Sequence, residues 1–319
     1  MNLTLLYQNL LANGKRIIRE KRGTFRQCCG QTAVPGGRVD YWMFGSGTKT
    51  PLVVVHGGPG FPHNYLLPLK KLAVDRTVVF YDQLDCGTSE RPKSSDAWRV
   101  TRFVDELLTL CKTLGIAKAH LLGHSWGAVV ALECAFGTRL ASSLILASPC
   151  ISIPRWIADS KQLRAELDDE SQAALDEADV SGDYDTPPAT RAVKEYYRRF
   201  VYGVHRFEDL IAQSEAGFGV ECYHAMWGPT EFQLTGVLAD YDGTEKLRCL
   251  KLPVLYTCGR FDEATPETTR WYTERTPGAK LRVFQLSAHM PHLSETDEYV
   301  CAVKKFIEDS ESETVKNDS

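Results

Sequence analysis

The sequence predicts an α/β fold with a mostly parallel sheet, helices on both faces of the sheet, and an inserted helical cap. Short runs rich in β-branched and aromatic residues alternate with segments of helical periodicity, which is typical of strand–helix–strand units. Several of these runs are apolar on both faces, as buried parallel strands are. The alternation stops between residues 151 and 249 and then resumes, so the cap is predicted there.

Seven segments are predicted to be strands because they are short, apolar and rich in β-branched or aromatic residues. Between the third and the fourth of them, Phe103, Leu107 and Leu110 recur at the spacing of an amphipathic helix. The predicted strands are Val39–Phe44, Leu52–His56, Thr77–Tyr81, His120–Leu122, Leu144–Ala147, Val254–Thr257 and Leu281–Phe284.

The length of 319 residues is long for one domain and short for two large ones, which favours a core domain with an insertion. The core is predicted to comprise residues 26–150 and 250–308, with the cap at 151–249. Residues 309–319 are polar and lack apolar anchors, so a disordered tail is predicted there.

Residues 1–25 are predicted to be an N-terminal extension in which leucines precede a basic run. That order is the reverse of a secretory signal. An amphipathic helix lying on the core is the preferred interpretation, and an organellar presequence is the alternative.

Composition excludes several classes of function. The net charge of −4 gives no reason to expect a nucleic-acid partner, and no apolar stretch is long enough for a membrane span. The ten cysteines form no C-x-x-C pair, and many lie in apolar runs, which favours reduced thiols and a cytoplasmic location over a metal site. No H-E-x-x-H or dinucleotide-binding motif is present, so neither a metal nor an organic cofactor is expected. The sequence makes no prediction of oligomeric state.

The most informative motif is Gly123-His124-Ser125-Trp126-Gly127, which lies directly between a predicted strand and a predicted helix. A sharp strand-to-helix turn brings backbone atoms together, so small residues are needed on both sides of the central one. The turn would lift the Ser125 hydroxyl above the sheet, next to the N-terminus of the following helix. Ser125 is therefore predicted to be a catalytic nucleophile.

A serine nucleophile needs a base, and the base needs a carboxylate that orients it. In this kind of fold the partners follow in the order Ser, Asp, His, each in a loop after a strand. Asp262 and His289 meet both conditions and are predicted to be the acid and the base. Glu263 and His292 lie close by in the sequence and are alternative candidates for the acid and the base. Only the geometry of the folded chain decides between the candidates.

The oxyanion of an acyl-transfer reaction must be met by N–H donors. The glycine-rich run His56–Gly60 follows a predicted strand and can bring a backbone N–H to the nucleophile. Gly58 and Trp126 are the predicted donors. A phosphate-binding loop is the poorer interpretation because no P-loop pattern is present.

Five motifs in order resemble those of the proline iminopeptidase family of α/β-hydrolases. The resemblance extends from about Pro35 to Phe306 and includes the cap segment Met226–Phe232. It implies an α/β-hydrolase fold and an enzyme that releases an N-terminal residue, often proline, from short peptides or amino-acid amides. The five motifs are His56–Gly60, Asp82–Ser89, Gly123–Gly127, Gly259–Pro266 and Ser287–His289.

The resemblance also implies a site for the free amino group of the substrate, with Glu231 and Glu263 as its carboxylates. A buried ammonium needs such partners to offset its lost hydration. Two positions depart from the family pattern, which usually has glycine where Asp85 and Ala128 stand. Asp85 adds a charge close to the predicted oxyanion loop.

A substrate pocket between the sheet edge and the cap is predicted to be partly aromatic and to suit an apolar or ring-shaped residue. Its predicted lining residues are Phe61, Tyr223, Trp227 and Phe232.

Two other classes of function stay open at this point. The same triad serves esters, so an esterase, a lactonase or a hydrolase of a small metabolite is an alternative. A non-catalytic ligand-binding relative is a less favoured one, because the chain retains every predicted part of the catalytic machinery.

Overall fold

A computed structural model of the chain describes residues 17–18, 27–92, 94, 98–203 and 207–317. Within these residues, nine strands form one sheet. The strands are β1 (Ile17–Ile18), β2 (Gln27–Val34), β3 (Gly37–Phe44), β4 (Lys49–Val55), β5 (Arg76–Tyr81), β6 (Ala119–His124), β7 (Ala141–Ala147), β8 (Val254–Gly259) and β9 (Lys280–Phe284).

The sheet has the strand order β1-β2-β3-β5-β4-β6-β7-β8-β9. The last six strands in this order, β4 to β9, are parallel to one another. Strands β1, β2 and β3 form an antiparallel edge. The predicted mostly parallel sheet is therefore confirmed.

Eleven α-helices lie within the described residues, together with a 3₁₀ segment at His63–Leu72 and a π-helical turn at Tyr197–Tyr202. The α-helices are α1 (Val100–Thr113), α2 (Trp126–Gly137), α3 (Ile153–Arg164), α4 (Asp169–Ser181), α5 (Pro187–Tyr196), α6 (Glu208–Ala216), α7 (Val220–Met226), α8 (Thr244–Leu247), α9 (Pro266–Arg275), α10 (Pro291–Ser294) and α11 (Thr296–Asn317).

The sheet is buried on both faces. Side chains alternate along each central strand, so Val53 packs on one side of the sheet and Val54 on the other. Phe103 of α1 belongs to the first of these two apolar layers, whereas Val303 of α11 belongs to the second. Helices therefore cover both faces, which explains why the predicted strands are continuous apolar runs.

Helices α3 to α8 lie between β7 and β8, where the sequence loses its strand–helix alternation. Backbone hydrogen bonds join this insertion to the loops at the carboxyl edge of the sheet. Gly219 N donates to Gly60 O at 2.9 Å, and Gly87 N donates to Gly217 O at 2.8 Å. These bonds fix the insertion over the edge of the sheet that carries Ser125.

Strand β2 has no counterpart among the predicted strands. Its sequence, Gln-Cys-Cys-Gly-Gln-Thr-Ala-Val, carries a glycine and two glutamines, and only Cys28, Thr32 and Val34 are buried. It pairs over its whole length with β3 near the edge of the sheet. Tertiary pairing rather than apolar periodicity makes this segment a strand.

The C-terminal segment differs from its prediction. Helix α11 continues to Asn317, through most of the tail predicted to be disordered from residue 309. Ser310 is buried, and Glu311 forms an ion pair with Arg76 and lies 3.3 Å from His120 Nε2. These contacts hold the C-terminal part of α11 on the core, although its sequence shows no apolar periodicity.

The predicted N-terminal helix within residues 1–25 lies outside the described residues, apart from the backbone of β1. No helix of the described part of the chain is both long enough and apolar enough to cross a membrane.

Candidate active site

Ser125 lies in the sharp turn between β6 and α2. Its backbone has φ 54° and ψ −120°, a left-handed conformation that is uncommon outside glycine. A Cβ on Gly123 would lie 2.2 Å from Gly127 O, and a Cβ on Gly127 would lie 2.2 Å from Val55 O. The glycines on both sides of Ser125 are therefore required by close backbone packing, as the sequence pattern indicated.

Asp262 and His289 are in direct contact. His289 Nδ1 lies 2.7 Å from Asp262 Oδ1, and both side chains are buried. The backbone N–H of Ala264 also donates to Oδ1, while Oδ2 accepts from the Gly259 N–H at 3.1 Å and from the Ser148 hydroxyl at 2.7 Å. Four donors thus hold one buried carboxylate in a single orientation against His289.

The geometry separates Asp262 and His289 from their sequence competitors. Glu263 Oε1 lies 3.7 Å from His289 Nε2, on the opposite edge of the imidazole from Asp262. His292 is buried with its ring packed against those of Tyr65, His124 and Tyr299.

The loops that carry the acid and the base are packed backbone against backbone. A Cβ on Gly259 would lie 2.1 Å from Ala288 O, so only glycine fits at the end of β8. Arg260 N donates to Phe284 O at 2.8 Å, and Phe261 N donates to Ser287 O at 3.0 Å. Because β8 and β9 are parallel neighbours, their carboxyl ends present Asp262 and His289 side by side.

The glycine-rich loop after β4 brings Gly58 to the wall of the cavity that also contains Ser125 and His289. Gly58 has φ +105°, and a Cβ there would lie 2.6 Å from Gly60 N. Gly58 is joined to Pro59 by a cis peptide bond. Neither the Gly58 N–H nor the Trp126 N–H donates to another described residue, so both can meet a negatively charged oxygen.

Trp126 and the glycine-rich loop are braced by a buried glutamine. Trp126 Nε1 donates to Gln83 Oε1 at 2.9 Å, and Gln83 Nε2 donates to His56 O at 2.9 Å. Gln83 belongs to the loop after β5, so three loops at the sheet edge are joined by one side chain.

His56, Asp82 and Cys86 have ligand atoms within 4.8 Å of one another, a spacing that a metal ion could use. These atoms already have protein partners. His56 Nε2 accepts from Gln83 N at 2.9 Å, and Asp82 Oδ1 accepts from His63 N at 2.9 Å. Burial raises the pKa of the Cys86 thiol well above its ordinary value, so the thiol stays protonated. The donor set fits a structural hydrogen-bond cluster and not a metal site.

Glu231 projects from the cap into the cavity. It accepts hydrogen bonds from Tyr223 Oη at 3.1 Å and Trp156 Nε1 at 3.2 Å. Burial raises its pKa to about 7, in spite of these donors.

Glu263 lines the same cavity from the core side, and its N–H donates to Phe200 O of the cap at 3.2 Å. Its Oε2 atom is buried with no hydrogen-bond partner among the described residues. Burial, followed by the charges of Glu231 and Asp262, raises its pKa well above the ordinary value for a glutamate. Two carboxyl groups are thus held in a desolvated place beside His289, with the bonding capacity of one unused.

The cavity has a volume of about 480 Å³ and contains most of the predicted site residues. Three of the four predicted pocket residues line it, namely Phe61, Tyr223 and Phe232. Trp227 does not. It is buried one layer behind, with its indole N–H donating to Glu231 O at 3.3 Å. The indole N–H of Trp227 therefore holds the backbone of Glu231 from outside the cavity.

Asp85 does not reach the cavity. It is buried with φ +75°, and its Oδ2 accepts from Cys222 N at 2.8 Å in the first turn of α7. Arg91 lies 3.4 Å from the other carboxylate oxygen. The side chain joins the loop after β5 to the cap helix that carries Tyr223.

Ser148, Trp156 and Tyr65 contribute to the site but were absent from the predicted residues. Ser148 is the first residue after β7, and the rule that functional groups follow the carboxyl ends of strands could have indicated it. Trp156 and Tyr65 lie in helical segments without a motif, and their roles depend on contacts far apart in sequence.

A model of the alpha/beta hydrolase family matches residues 52–303, so the class of protein is an α/β hydrolase.

Among individual relatives, a proline iminopeptidase of Heyndrickxia coagulans is 40% identical over 277 residues, covering 86% of this chain and 96% of that protein. One from Clostridium botulinum is 34% identical, covering 82% and 91%. The crystal structure of a proline iminopeptidase of Mycobacterium smegmatis superposes with a TM-score of 0.81 at 33% identity, covering 89% of this chain and all of that one. The chain belongs to the proline iminopeptidase family of α/β hydrolases.

Proposed function

We propose that the chain is a serine aminopeptidase that releases an N-terminal residue, proline or a similar one, from short peptides or amino-acid amides. The observation that carries the proposal is the pair of desolvated carboxyl groups, Glu231 and Glu263, in the cavity that holds Ser125 and His289. No lysine or arginine of the described residues forms an ion pair with either group, and Glu263 lies 3.7 Å from His289. A substrate ammonium would offer both carboxyl groups a counter-charge.

In the proposed acylation step, Ser125 Oγ attacks the carbonyl carbon of the N-terminal residue while His289 Nε2 accepts the serine proton. Asp262 holds the imidazole through Nδ1 and stabilises the imidazolium. The N–H groups of Gly58 and Trp126 would donate to the oxyanion, and the N-terminus of α2 adds a favourable dipole. His289 then gives its proton to the leaving amine, which departs as the C–N bond breaks.

Deacylation repeats these roles with water in place of the serine hydroxyl. His289 takes a proton from water, the hydroxide oxygen attacks the ester carbon, and Ser125 leaves with the proton returned by His289. The products are the free amino acid and the shortened peptide or amine. This scheme uses no metal ion and no organic cofactor.

Selection of an unblocked terminus follows from the position of the carboxylates. Glu231 reaches the cavity from the cap and Glu263 reaches it from the core, so the amino group of the first residue would meet them while its carbonyl meets Ser125. Phe61, Tyr223 and Phe232 give the cavity aromatic walls that suit a pyrrolidine ring or a small apolar side chain.

The test compares a free with a blocked amine. Wild-type protein should hydrolyse prolyl-β-naphthylamide and should fail to hydrolyse its N-acetyl derivative. Glu231→Gln should lower kcat/KM for the free amine about 100-fold, since it removes a charge partner from a desolvated ammonium. It should change hydrolysis of p-nitrophenyl acetate about threefold or less.

Glu215→Gln is the matched control, because Glu215 is a third glutamate of the same cavity and its carboxylate accepts from the Tyr202 hydroxyl at 3.0 Å. Its kinetics should match wild type. Equal losses on the amine and the acetate in Glu231→Gln, or equal rates on free and blocked substrates, would contradict amine recognition. A wild-type protein that turns over only the ester would point to the esterase alternative.

We also propose a reducing, cytoplasmic location. Six cysteines are buried free thiols, which suits a compartment that keeps thiols reduced. They are Cys86, Cys111, Cys134, Cys150, Cys222 and Cys258.

A further inference from the structure

Four polar groups behind Ser125 form an unbroken hydrogen-bond chain. Gly57 N donates to Tyr65 Oη at 2.8 Å, and Tyr65 Oη lies 2.9 Å from His124 Nδ1. His124 Nε2 lies 2.9 Å from the backbone carbonyl oxygen of His289. Tyr65 and His124 are each 1% exposed, so the chain runs through the interior of the protein.

The direction of every hydrogen bond in the chain is fixed. A carbonyl oxygen only accepts, so His124 Nε2 carries a hydrogen. Burial, followed by the nearby His289 and His292 rings, lowers the pKa of His124 well below its ordinary value, which keeps the imidazole neutral. Nδ1 therefore accepts from the Tyr65 hydroxyl, whose oxygen in turn accepts from the Gly57 N–H.

The two ends of the hydrogen-bond chain lie in the oxyanion loop and in the loop that carries His289. The reaction requires these two loops to keep a fixed relative position. Gly57 precedes the predicted oxyanion donor Gly58, and a Cβ on Gly57 would lie 3.1 Å from Ser125 Cβ. At the other end, the Ser148 hydroxyl lies 3.0 Å from the His289 carbonyl oxygen and shares its single hydrogen between this oxygen and Asp262 Oδ2. The loop of the base is thus held by the His124 N–H and by this shared hydrogen, and the oxyanion loop by the Tyr65 hydroxyl oxygen.

The Tyr65 hydroxyl is not needed for packing. The ring belongs to the second apolar layer and packs against the rings of Phe61, His124 and His292, contacts that phenylalanine would keep. The hydroxyl serves to satisfy Gly57 N–H and His124 Nδ1, two buried groups that would otherwise have no partner.

We infer that Tyr65 and His124 are positioning residues, which hold the oxyanion loop and the backbone of His289 in fixed register through this one hydrogen-bond chain. The inference rests on the proposed roles of Ser125, His289 and Gly58. Because donors and base act within a fraction of an ångström of their ideal places, a small slip of either loop lowers the rate of the chemical step.

The first test is Tyr65→Phe, with Tyr256→Phe as the matched control. Tyr256 is also buried, and its hydroxyl lies 2.7 Å from Thr276 Oγ1, outside the cavity and its loops. Tyr65→Phe should lower kcat for prolyl-β-naphthylamide about 10- to 100-fold and change KM less than about threefold. Tyr256→Phe should keep the wild-type kcat at a similar loss of thermal stability.

The second test separates positioning from general structure at His124. A glutamine has an amide N–H that can replace Nε2–H, whereas leucine has no donor, so His124→Gln should retain at least about tenfold more kcat than His124→Leu. The rate at which a fluorophosphonate labels Ser125 should follow the same order, and this readout does not depend on the identity of the substrate.

A Tyr65→Phe variant with the kcat of Tyr256→Phe would overturn the inference, as would a loss that appears in KM alone, which would mean contact with substrate. Failure of the proposed function has a different signature. In that case wild-type protein itself would not cleave the naphthylamide, whereas labelling of Ser125 by the phosphonate would still report the effect of Tyr65 and His124 on the nucleophile.

Discussion

Ser148 donates its hydroxyl hydrogen to Asp262 Oδ2 at 2.7 Å, while the other oxygen of the same carboxylate holds His289 Nδ1 at 2.7 Å. Ser148 therefore binds the carboxylate oxygen of Asp262 that does not contact His289. Ser148 has φ 45°, so its backbone is held in the left-handed region where it can reach both Asp262 and the His289 carbonyl. A residue outside the triad thus sets the orientation of two of its members.

Ser148→Ala should lower kcat about tenfold with little change in KM, because a hydrogen bond to a charged group is worth about 1.5 to 3 kcal/mol. Ser143→Ala is the control. It removes a different buried hydroxyl, which lies within β7 and 2.8 Å from His120 Nδ1. Steady-state kinetics on prolyl-β-naphthylamide decide the point, and equal kcat values for the two variants would show that Ser148 is not needed to orient Asp262.

Binding of free-amine substrates should strengthen as the pH rises from 6 to 8. Burial holds the pKa of Glu231 at about 7, so below that pH the carboxyl is protonated and cannot pair with an ammonium. We expect KM to rise up to about tenfold for each pH unit below 7. The trend should reverse where the substrate amine loses its own proton. A KM that is flat between pH 6 and 7.5 would argue against pairing with Glu231.

Removing the charge of Glu231 should stabilise the fold at alkaline pH. Its folded-state pKa is raised above the unfolded value, so the folded protein binds the extra proton and loses stability as the pH rises from about 4.5 to 7. Each unit of that shift costs about 1.4 kcal/mol once the group is ionised. Glu231→Gln should therefore raise Tm at pH 8 and have little effect at pH 4.5. Thermal denaturation at both values measures this, and a lower Tm at pH 8 would contradict it.

Asp85→Gly should weaken substrate binding without unfolding the protein. Glycine accepts the φ of +75° at no cost but loses the bond to Cys222 N, which fixes the cap helix that carries Tyr223. We expect KM for prolyl-β-naphthylamide to rise about 3- to 10-fold, a loss of roughly one hydrogen bond. Asp85→Asn keeps an acceptor oxygen and should stay near wild type. An unchanged KM in Asp85→Gly would show that substrate binding does not depend on the hydrogen bond between Asp85 and α7.

Most of the sheet follows from the sequence, because buried parallel strands leave continuous apolar runs. Strand β2 and the end of α11 do not. The first is a polar segment made regular by pairing with β3, and the second is held by Glu311 against Arg76. Neither contact leaves a periodic pattern in the chain, so local propensity gives no sign of it.

Ser125, Asp262 and His289 could be predicted because each follows a strand and stands in a short motif. The choice of Asp262 over Glu263 required geometry, since the two are adjacent in the same loop after β8 and contact opposite nitrogens of His289. Ser148 acts on a partner 114 positions away in sequence, and Tyr65 on one 59 positions away. Such contacts depend on side-chain direction in the folded chain, which a single sequence does not encode in any local pattern.

Turnover of prolyl-β-naphthylamide by wild-type protein and by Ser125→Ala tests the central claim most directly. The hydroxyl carries the acyl group, so its loss should lower kcat at least about 10³-fold while the Tm stays within a few degrees of wild type. A folded Ser125→Ala protein that hydrolyses the substrate at the wild-type rate would contradict the proposed mechanism.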